Sequence, residues 1–303
     1  MYPAGFQYER AGTVEEAVDF LIEYAGSETE LLAGGHSLLP TMKSGLASPS
    51  VLIDIGRIDG LRGIERDDDT TTIGALTSYA DIEEANDLWD DCPVVAEAAS
   101  EIGDVQVRNM GTIGGNIAHA DPGSDMPASI LAADATLHIY GQDGQREIPA
   151  EDFFQEMFTT DLGEAEILTG VEVPNCDANT TSAYVKRSSP SSGFALVGVA
   201  TLLQTDGDSI QSARVATTGA TDYAVRLAPV EDALTGATLS PETLTAAAER
   251  ATEDLGGATL MSDNQASSKF RGQLLIQYTN RALTQAAKQA KSNGTRKTDD
   301  PVR

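Results

Sequence analysis

The chain has 303 residues, with 47 Asp and Glu against 20 Lys and Arg, a formal charge of −27 at pH 7 and an isoelectric point near 4.2. So acidic a balance excludes nucleic acid and anionic membrane as main partners, because affinity for phosphate comes largely from Lys and Arg. The 41% of apolar residues, spread along the whole length, exclude a disordered chain, and the length predicts two domains, or one large domain with an appendage.

In chain order, Phe6–Arg10 predicts a short strand. Thr13 stands three residues before Glu16, a capping-box spacing, and Val14, Ala17, Val18, Leu21, Ile22 and Ala25 recur at helical intervals. Glu30–Ala33 predicts a buried strand stopped by Gly34-Gly35, with a short helix after it. Ser50–Ile55 predicts a second strand, so residues 1–56 form a small α/β subdomain. Asp67-Asp68-Asp69 predicts a solvated turn before a strand at Thr70–Leu76. Ser78 with Asp81 opens a helix, and Cys92–Ile102 reads as a second, Ala-rich one. Strands return at Ala135–Tyr140 and Glu166–Val173, with Gln142-Asp143-Gly144 as a hairpin turn towards Glu147-Ile148. Pro174–Asn179 is polar and strand-breaking, which closes a larger α+β subdomain, 57–176, at a domain boundary. Residues 177–290 then predict a smaller α+β domain with three strands, Ala183–Arg187, Phe194–Gln204 and Ile210–Thr217. Helices follow, one starting at Ser240-Pro241-Glu242 and a long one over Ala266–Ala290. The polar tail 291–303 is expected to be disordered.

Cys92 and Cys176 lie 84 positions apart, too few for a disulfide framework or an iron–sulfur set. With only three histidines beside them they make no familiar metal-ligand spacing. No stretch approaches the ~18 apolar residues of a transmembrane segment, and the N-terminus lacks a signal-peptide pattern. The expectation is a cytoplasmic protein with no metal of its own. Only six of the basic residues are Lys, and Asp outnumbers Glu by 26 to 21. That composition predicts a halophilic protein, with an ordinary acidic cytoplasmic protein as the alternative.

Acids average about one residue in six, yet four windows hold none: Leu31–Ile53, Val105–Ala120, Ala178–Thr205 and Asn264–Thr298. Segments spared in this way are buried or face something negative. The first carries Ala33-Gly34-Gly35-His36-Ser37-Leu38, a glycine turn between strand and helix whose free N–H groups suit a pyrophosphate. It is not a G-x-G-x-x-G loop, since His36 stands in the third position, and it has no Walker lysine. The second window ends in Gly111-Thr112-Ile113-Gly114-Gly115-Asn116, with Asp121-Pro122 and Asp125 beyond. One such turn is usually structural; two, both spared by the acids, suit a dinucleotide with two phosphates and a ribose.

Ala33–Pro40 and Gly111–Asn116, with Ala120-Asp121-Pro122 and Asp125-Met126-Pro127-Ala128, closely resemble the FAD-binding subunit of the molybdenum hydroxylases. That group includes the medium subunit of aerobic carbon monoxide dehydrogenase and the flavin part of xanthine dehydrogenase. The resemblance extends over nearly the whole chain, through Glu166-Ile167-Leu168, Tyr184-Val185-Lys186, Phe194–Ala200, Phe270-Arg271 and Arg281-Ala282-Leu283. It implies an α+β fold in which a two-part FAD-binding domain of the PCMH type precedes a smaller C-terminal domain. It implies that Ala33, Gly34, Gly35, His36, Ser37 and Leu38, together with Thr112, Ile113, Gly114, Gly115 and Asn116, hold the FAD pyrophosphate. Asp125 would meet the adenosine or ribitol portion, and Ile102 and Leu168 would be apolar cofactor contacts. Lys186 would lie near the flavin pyrimidine, where a cation stabilises charge on the reduced ring, and Phe194 beside the isoalloxazine. Asp121 either binds the cofactor or caps a helix after Pro122. Many relatives place Arg-Arg and then Gly-Asp between the lysine and the aromatic. Here the stretch is Arg187-Ser188-Ser189-Pro190-Ser191-Ser192-Gly193, which alters the electrostatics on that side of the flavin.

The resemblance further implies FAD in this chain, molybdopterin in a large partner subunit and [2Fe–2S] clusters in a small one, as a dimer of heterotrimers. This chain would pass electrons outward from the clusters to an external acceptor. It carries no cluster-binding cysteine set and no G-x-S-x-G nucleophile elbow that would suggest other chemistry. A stand-alone FAD-dependent oxidoreductase and a flavin-free adaptor remain the alternatives. The charge is unevenly placed: residues 264–303 carry +6 and residues 1–263 carry −33. The basic C-terminal helix therefore either lies on its own domain or docks an acidic partner.

Overall fold

In the computed structural model, which describes residues 2–298, the chain opens with a parallel three-stranded sheet. β1 (Gln7–Arg10) leads through α1 (Val14–Glu23) to β2 (Thr29–Leu32), and α2 (Leu38–Ser44) leads to β3 (Val51–Asp54), which lies between the other two. Thr13 caps α1 by accepting the Glu16 amide, while the Glu16 carboxylate accepts from Gly12, one residue before the cap. Ala17 and Val18 of α1 share a core with Val51, Ile53 and Ile55.

A 3-10 turn (Asp59–Leu61), β4 (Ile64–Arg66) and β5 (Thr70–Gly74) begin the second unit. Six helices follow: α3 (Tyr79–Glu84), α4 (Asn86–Asp91), α5 (Pro93–Ser100), α6 (Val105–Arg108), α7 (Ile113–His119) and α8 (Met126–Ala132). Then come β6 (Thr136–Gly141), β7 (Gly144–Pro149), α9 (Ala150–Phe153), the small hairpin β8 (Phe154–Glu156) and β9 (Thr159–Thr160), and β10 (Ile167–Pro174). The main sheet is antiparallel in the order β4-β5-β10-β6-β7. Ser78 and Asp81 make a complete capping box on α3. The Ala-rich, charge-poor sequences of α5 and α8 let both helices sink into the core, where they pack with Ile73, Leu137 and Ile139 of the sheet.

The third unit is an antiparallel sheet of β11 (Thr180–Ser188), β12 (Ala195–Asp206) and β13 (Ser209–Thr218). The sequence predicts these three strands; a fourth, β14 (Val225–Arg226), joins the edge of β13 and is too short for any alternation to show. α10 (Ala228–Leu234), α11 (Pro241–Ala248) and α12 (Ser268–Thr298) cover one face. Ala195–Thr201 of β12 is buried without a break, the pattern of a strand covered on both sides. Val197, Val199 and Val215 lie under the C-terminal helices, while Tyr184, Ala200 and Ala216 complete the core around α5 and α8. One sheet thus walls two cores. The tail expected to be disordered from 291 continues α12 as helical backbone to Thr298, and 299–303 lie outside the described residues.

Candidate functional site

The two glycine turns meet where the first two units join. Beyond β2 the chain turns through Gly34 and Gly35 into α2, with Gly35 in the left-handed region at φ +71°. A Cβ on Gly34 would lie 1.9 Å from the Met110 carbonyl oxygen, so only glycine lets the first turn rest on the segment leading into the second. A Cβ on Gly115 would sit 3.7 Å from that of Ala33. The amides of Gly34 to Leu38 donate to no acceptor among the described residues, and His36 and Ser37 are exposed. Free donors at a turn that opens onto a helix form an anion cradle.

The second turn is built differently. Thr112 caps α7 by accepting the Gly115 amide at 3.2 Å, and the Ile113 and Gly114 amides donate to the Thr77 and Ala75 carbonyls at 3.1 and 2.8 Å. Gly114 serves packing: a Cβ there would stand 2.5 Å from the Ala75 methyl. What this turn leaves open is the exposed face of Gly115 and the side chain of Asn116. Asn116 Nδ2 donates to the Tyr79 hydroxyl at 2.8 Å, while Oδ1 is buried with no hydrogen-bond partner. An orphaned buried oxygen on one turn and a free amide cradle on the turn packed against it fit a ligand that carries both phosphate acceptors and hydroxyl donors.

The other expected residues are placed less simply. Ile102 and Leu168 are 6% and 4% exposed and belong to the core; they back the site rather than line an open surface. Asp121 caps no helix: its Oδ1 accepts the Gly123 amide at 2.8 Å in a tight turn, and the next helix begins only at Met126. Asp125 and Lys186, implied to meet separate parts of the cofactor, are joined to each other. Lys186 Nζ stands 2.9 Å from Asp125 Oδ2, with side chains 3% and 4% exposed, and the Tyr184 hydroxyl donates to Oδ1. Burial pushes the Asp125 carboxyl up to about 6, against the opposing pull of the ammonium.

Lys186 also donates to the Gly193 carbonyl at 3.2 Å. It thereby holds the serine-rich loop 187–193. That loop closes on itself: the Ser189 amide donates to the Phe194 carbonyl at 2.7 Å and the Gly193 amide to the Ser189 carbonyl at 2.9 Å. Phe194 emerges from it 44% exposed, packed over Gly123.

The strip Asp121–Asp125 is gripped by the C-terminal sheet. The Ala195 and Gly219 amides donate to the Gly123 and Pro122 carbonyls at 3.0 and 2.6 Å, and the Thr218 hydroxyl bonds to the carbonyls of Pro122 and Ser124 at 2.7 Å each. Behind them Arg271, 2% exposed, donates to the Leu196 and Gly219 carbonyls and to Asp263. Sequence reasoning counted Arg271 among the charges of a basic helix and missed this bracket, for which the sequence offers no local signal. Arg281 lies 4.6 Å from the Tyr278 ring centroid, so both arginines turn to their own helix and domain. The side chains of Lys291, Arg296 and Lys297 lie outside the described residues.

A separate cleft of about 300 Å³ between α1 and the outer face of the main sheet, lined by Glu15, Arg62, His138 and Tyr140 among others, contains none of these residues. Among the described residues no helix is long and apolar enough to cross a membrane.

Two family models cover most of the chain: an FAD-binding domain in molybdopterin dehydrogenase over residues 4–176, and a CO dehydrogenase flavoprotein C-terminal domain over residues 182–286. The chain is 38% identical to the carbon monoxide dehydrogenase medium chain of Hydrogenophaga pseudoflava, over 95% of this chain and all of that one. It is 36% identical to the glyceraldehyde dehydrogenase medium chain of Sulfolobus acidocaldarius, with the same coverage. A solved structure of the Hydrogenophaga pseudoflava carbon monoxide dehydrogenase, lacking the Mo-pyranopterin moiety of the molybdenum cofactor, matches with a TM-score of 0.91 at 38% identity, over 96% of this chain and 99% of that one.

Proposed function

The chain belongs to the FAD-binding medium subunits of the molybdenum hydroxylases, and from that premise we propose that it takes electrons from the [2Fe–2S] clusters of a partner subunit and delivers them to an external acceptor. It is an oxidoreductase subunit with an FAD-binding domain; molybdopterin and the clusters belong to other subunits. The observation that carries the reading is the first glycine turn, whose amides from Gly34 to Leu38 are free and which packs through Ala33 and Gly34 against the segment carrying the orphaned Asn116 Oδ1. When bound, FAD supplies the capacity to exchange electrons singly or in pairs.

This chain's residues supply position and field. Ala33 to Leu38 bind the pyrophosphate, with Thr112, Ile113, Gly114, Gly115 and Asn116 as the facing wall. Asp121 shapes the strip below them, and Ile102 and Leu168 support the crevice from the core. Lys186 with Asp125 fixes the loop that presents Phe194 and places a buried ion pair next to it. The complex is a dimer of heterotrimers with one large and one small partner subunit, in the cytoplasm of a salt-accumulating cell, and the chain divides into an FAD-binding domain 1–176 and a C-terminal domain 177–290. Medium chains at nearly equal identity belong to complexes named for carbon monoxide and for glyceraldehyde. Substrate choice therefore rests with the large subunit.

The test is extraction of the purified subunit by heat or acid and identification of what is released. Close to one FAD per chain is expected, with no reduction by small carbonyl or heterocyclic substrates until iron–sulfur and molybdopterin subunits are added. An extract without flavin would point to an adaptor, and reduction without partners to a stand-alone enzyme.

A further inference from the structure

Cys92 and Cys176, 84 positions apart in the chain, come together in the fold. Cys92 stands at the junction of α4 and α5 and is fully buried, while Cys176 lies two residues beyond β10 and is partly exposed. The backbone sets their approach: the Cys176 amide donates to the carbonyl of Asp91, the neighbour of Cys92, at 2.5 Å. Asn175 pins the same segment. Its amide donates to the Asp69 carbonyl at 2.8 Å, its Nδ2 to the Asp67 carbonyl at 3.1 Å, and its Oδ1 accepts from the Thr71 hydroxyl at 2.8 Å. The bond to the Asp91 carbonyl places Cys176 against the residue next to Cys92, within electrostatic reach of its thiol, and both thiols are free.

We propose that Cys92 and Cys176 are a redox-active dithiol, converted by hydrogen peroxide into an intramolecular disulfide that ties the exit of the FAD-binding domain to the α4–α5 junction. Sequence spacing gives no hint of it, since two cysteines so far apart match no motif.

The two thiols are unequal in the way such chemistry needs. Cys176 is partly exposed and open to peroxide, whereas Cys92 is fully buried. Interaction with the Cys92 thiol lowers the Cys176 thiol against the opposing pull of burial and of the Asp177 and Asp91 carboxylates. The neighbouring Cys176, with burial, pushes the Cys92 thiol up and keeps it protonated. Cys176 sulfur attacks one peroxide oxygen; an S–O bond forms, the O–O bond breaks, and hydroxide leaves to take up a proton. The Cys92 sulfur then attacks the sulfenic sulfur of Cys176; the S–S bond forms, the S–O bond breaks, and the hydroxyl leaves as water with the Cys92 proton. Two thiols lose two electrons and two protons, and one peroxide becomes two waters.

The test uses the full chain, in its complex where partners co-purify. Equimolar hydrogen peroxide is added and quenched, the protein is denatured, remaining thiols are alkylated and peptides are mapped. Free thiols should fall from two to none, with a mass loss of two hydrogens, one cross-linked peptide pair containing Cys92 and Cys176, and full recovery with dithiothreitol. Two free thiols after treatment, a Cys176 sulfinic acid without a cross-link, or a disulfide between two chains would each overturn the proposal. In C92A, Cys176 should stop at the sulfenic acid and be trapped by dimedone. In C176S, which alters the more exposed position, Cys92 should react with peroxide about tenfold or more slowly than Cys176 does in C92A. Comparable rates would overturn the assignment of Cys176 as the attacking thiol.

Discussion

A side chain on Gly34 would have to share the space of the Met110 carbonyl, 1.9 Å away, whereas one on Gly114 would meet the Ala75 methyl at 2.5 Å. Gly34→Ala and Gly114→Ala should each cost about 1–3 kcal/mol, the usual scale of over-packing. Both should also lower FAD retention, read as FAD per chain after desalting, and full retention in both variants would count against the site. Lys186→Met strands Asp125 in the interior and should cost about 3–5 kcal/mol. The pH dependence follows from the direction of the Asp125 shift, from 3.8 up to about 6. A carboxyl raised on folding binds its proton more tightly when folded. Its contribution is therefore complete below the unfolded value and is lost as pH rises through the folded one. Removing the ammonium takes away a lowering influence, so the thermal midpoint of K186M should fall more steeply than wild type between about pH 4 and 7. Adding D125N should flatten it. Parallel curves for K186M and wild type would mean that the pair is not coupled. Both glycine turns could be read from sequence because each lies within a few consecutive residues. The ion pair could not: its members stand 61 positions apart, and each alone looks like a ligand contact.

Helix starts were visible for the same local reason: Thr13 before Glu16, Ser78 before Asp81 and Ser240 before Pro241-Glu242 each signal a cap within a few residues, and the structure places Thr13, Ser78 and Ser240 at the caps. The coverage of a strand is not local. The apolar run of β12 announces burial, but only the fold shows that Ala200 and Val199 face different cores. Residues 291–298 carry no proline, and α12 continues through them to Thr298. Its Arg271 offers a test at this scale. Arg271→Met leaves the Leu196 and Gly219 carbonyls without their buried donor and should lower stability by about 3–5 kcal/mol. Hydrogen exchange should quicken at the Ala195 and Gly219 amides, which hold the Asp121–Asp125 strip. Unchanged protection there would mean that the bracket does not act on the strip.

For the molecule as a whole, a charge of −27 implies strong self-repulsion in the folded state. The Debye length falls from ~10 Å at 0.1 M to ~3 Å at 1 M salt, so the thermal midpoint should climb as KCl is raised across that range. A flat or falling response would remove the halophilic reading. The C-terminal sheet completes the core of the FAD-binding part through Tyr184, Ala200 and Ala216, and this arrangement also sets a timetable for biosynthesis. Residues 1–176 are made with the flanks of α5 and α8 uncovered, and the strands that cover them, β11 to β13, end 42 residues later at Thr218. At ~5–20 residues per second that wait lasts a few seconds. During it the nascent chain carries an Ala-rich apolar surface still open to solvent, and the core of the FAD-binding part closes only when the C-terminal sheet arrives.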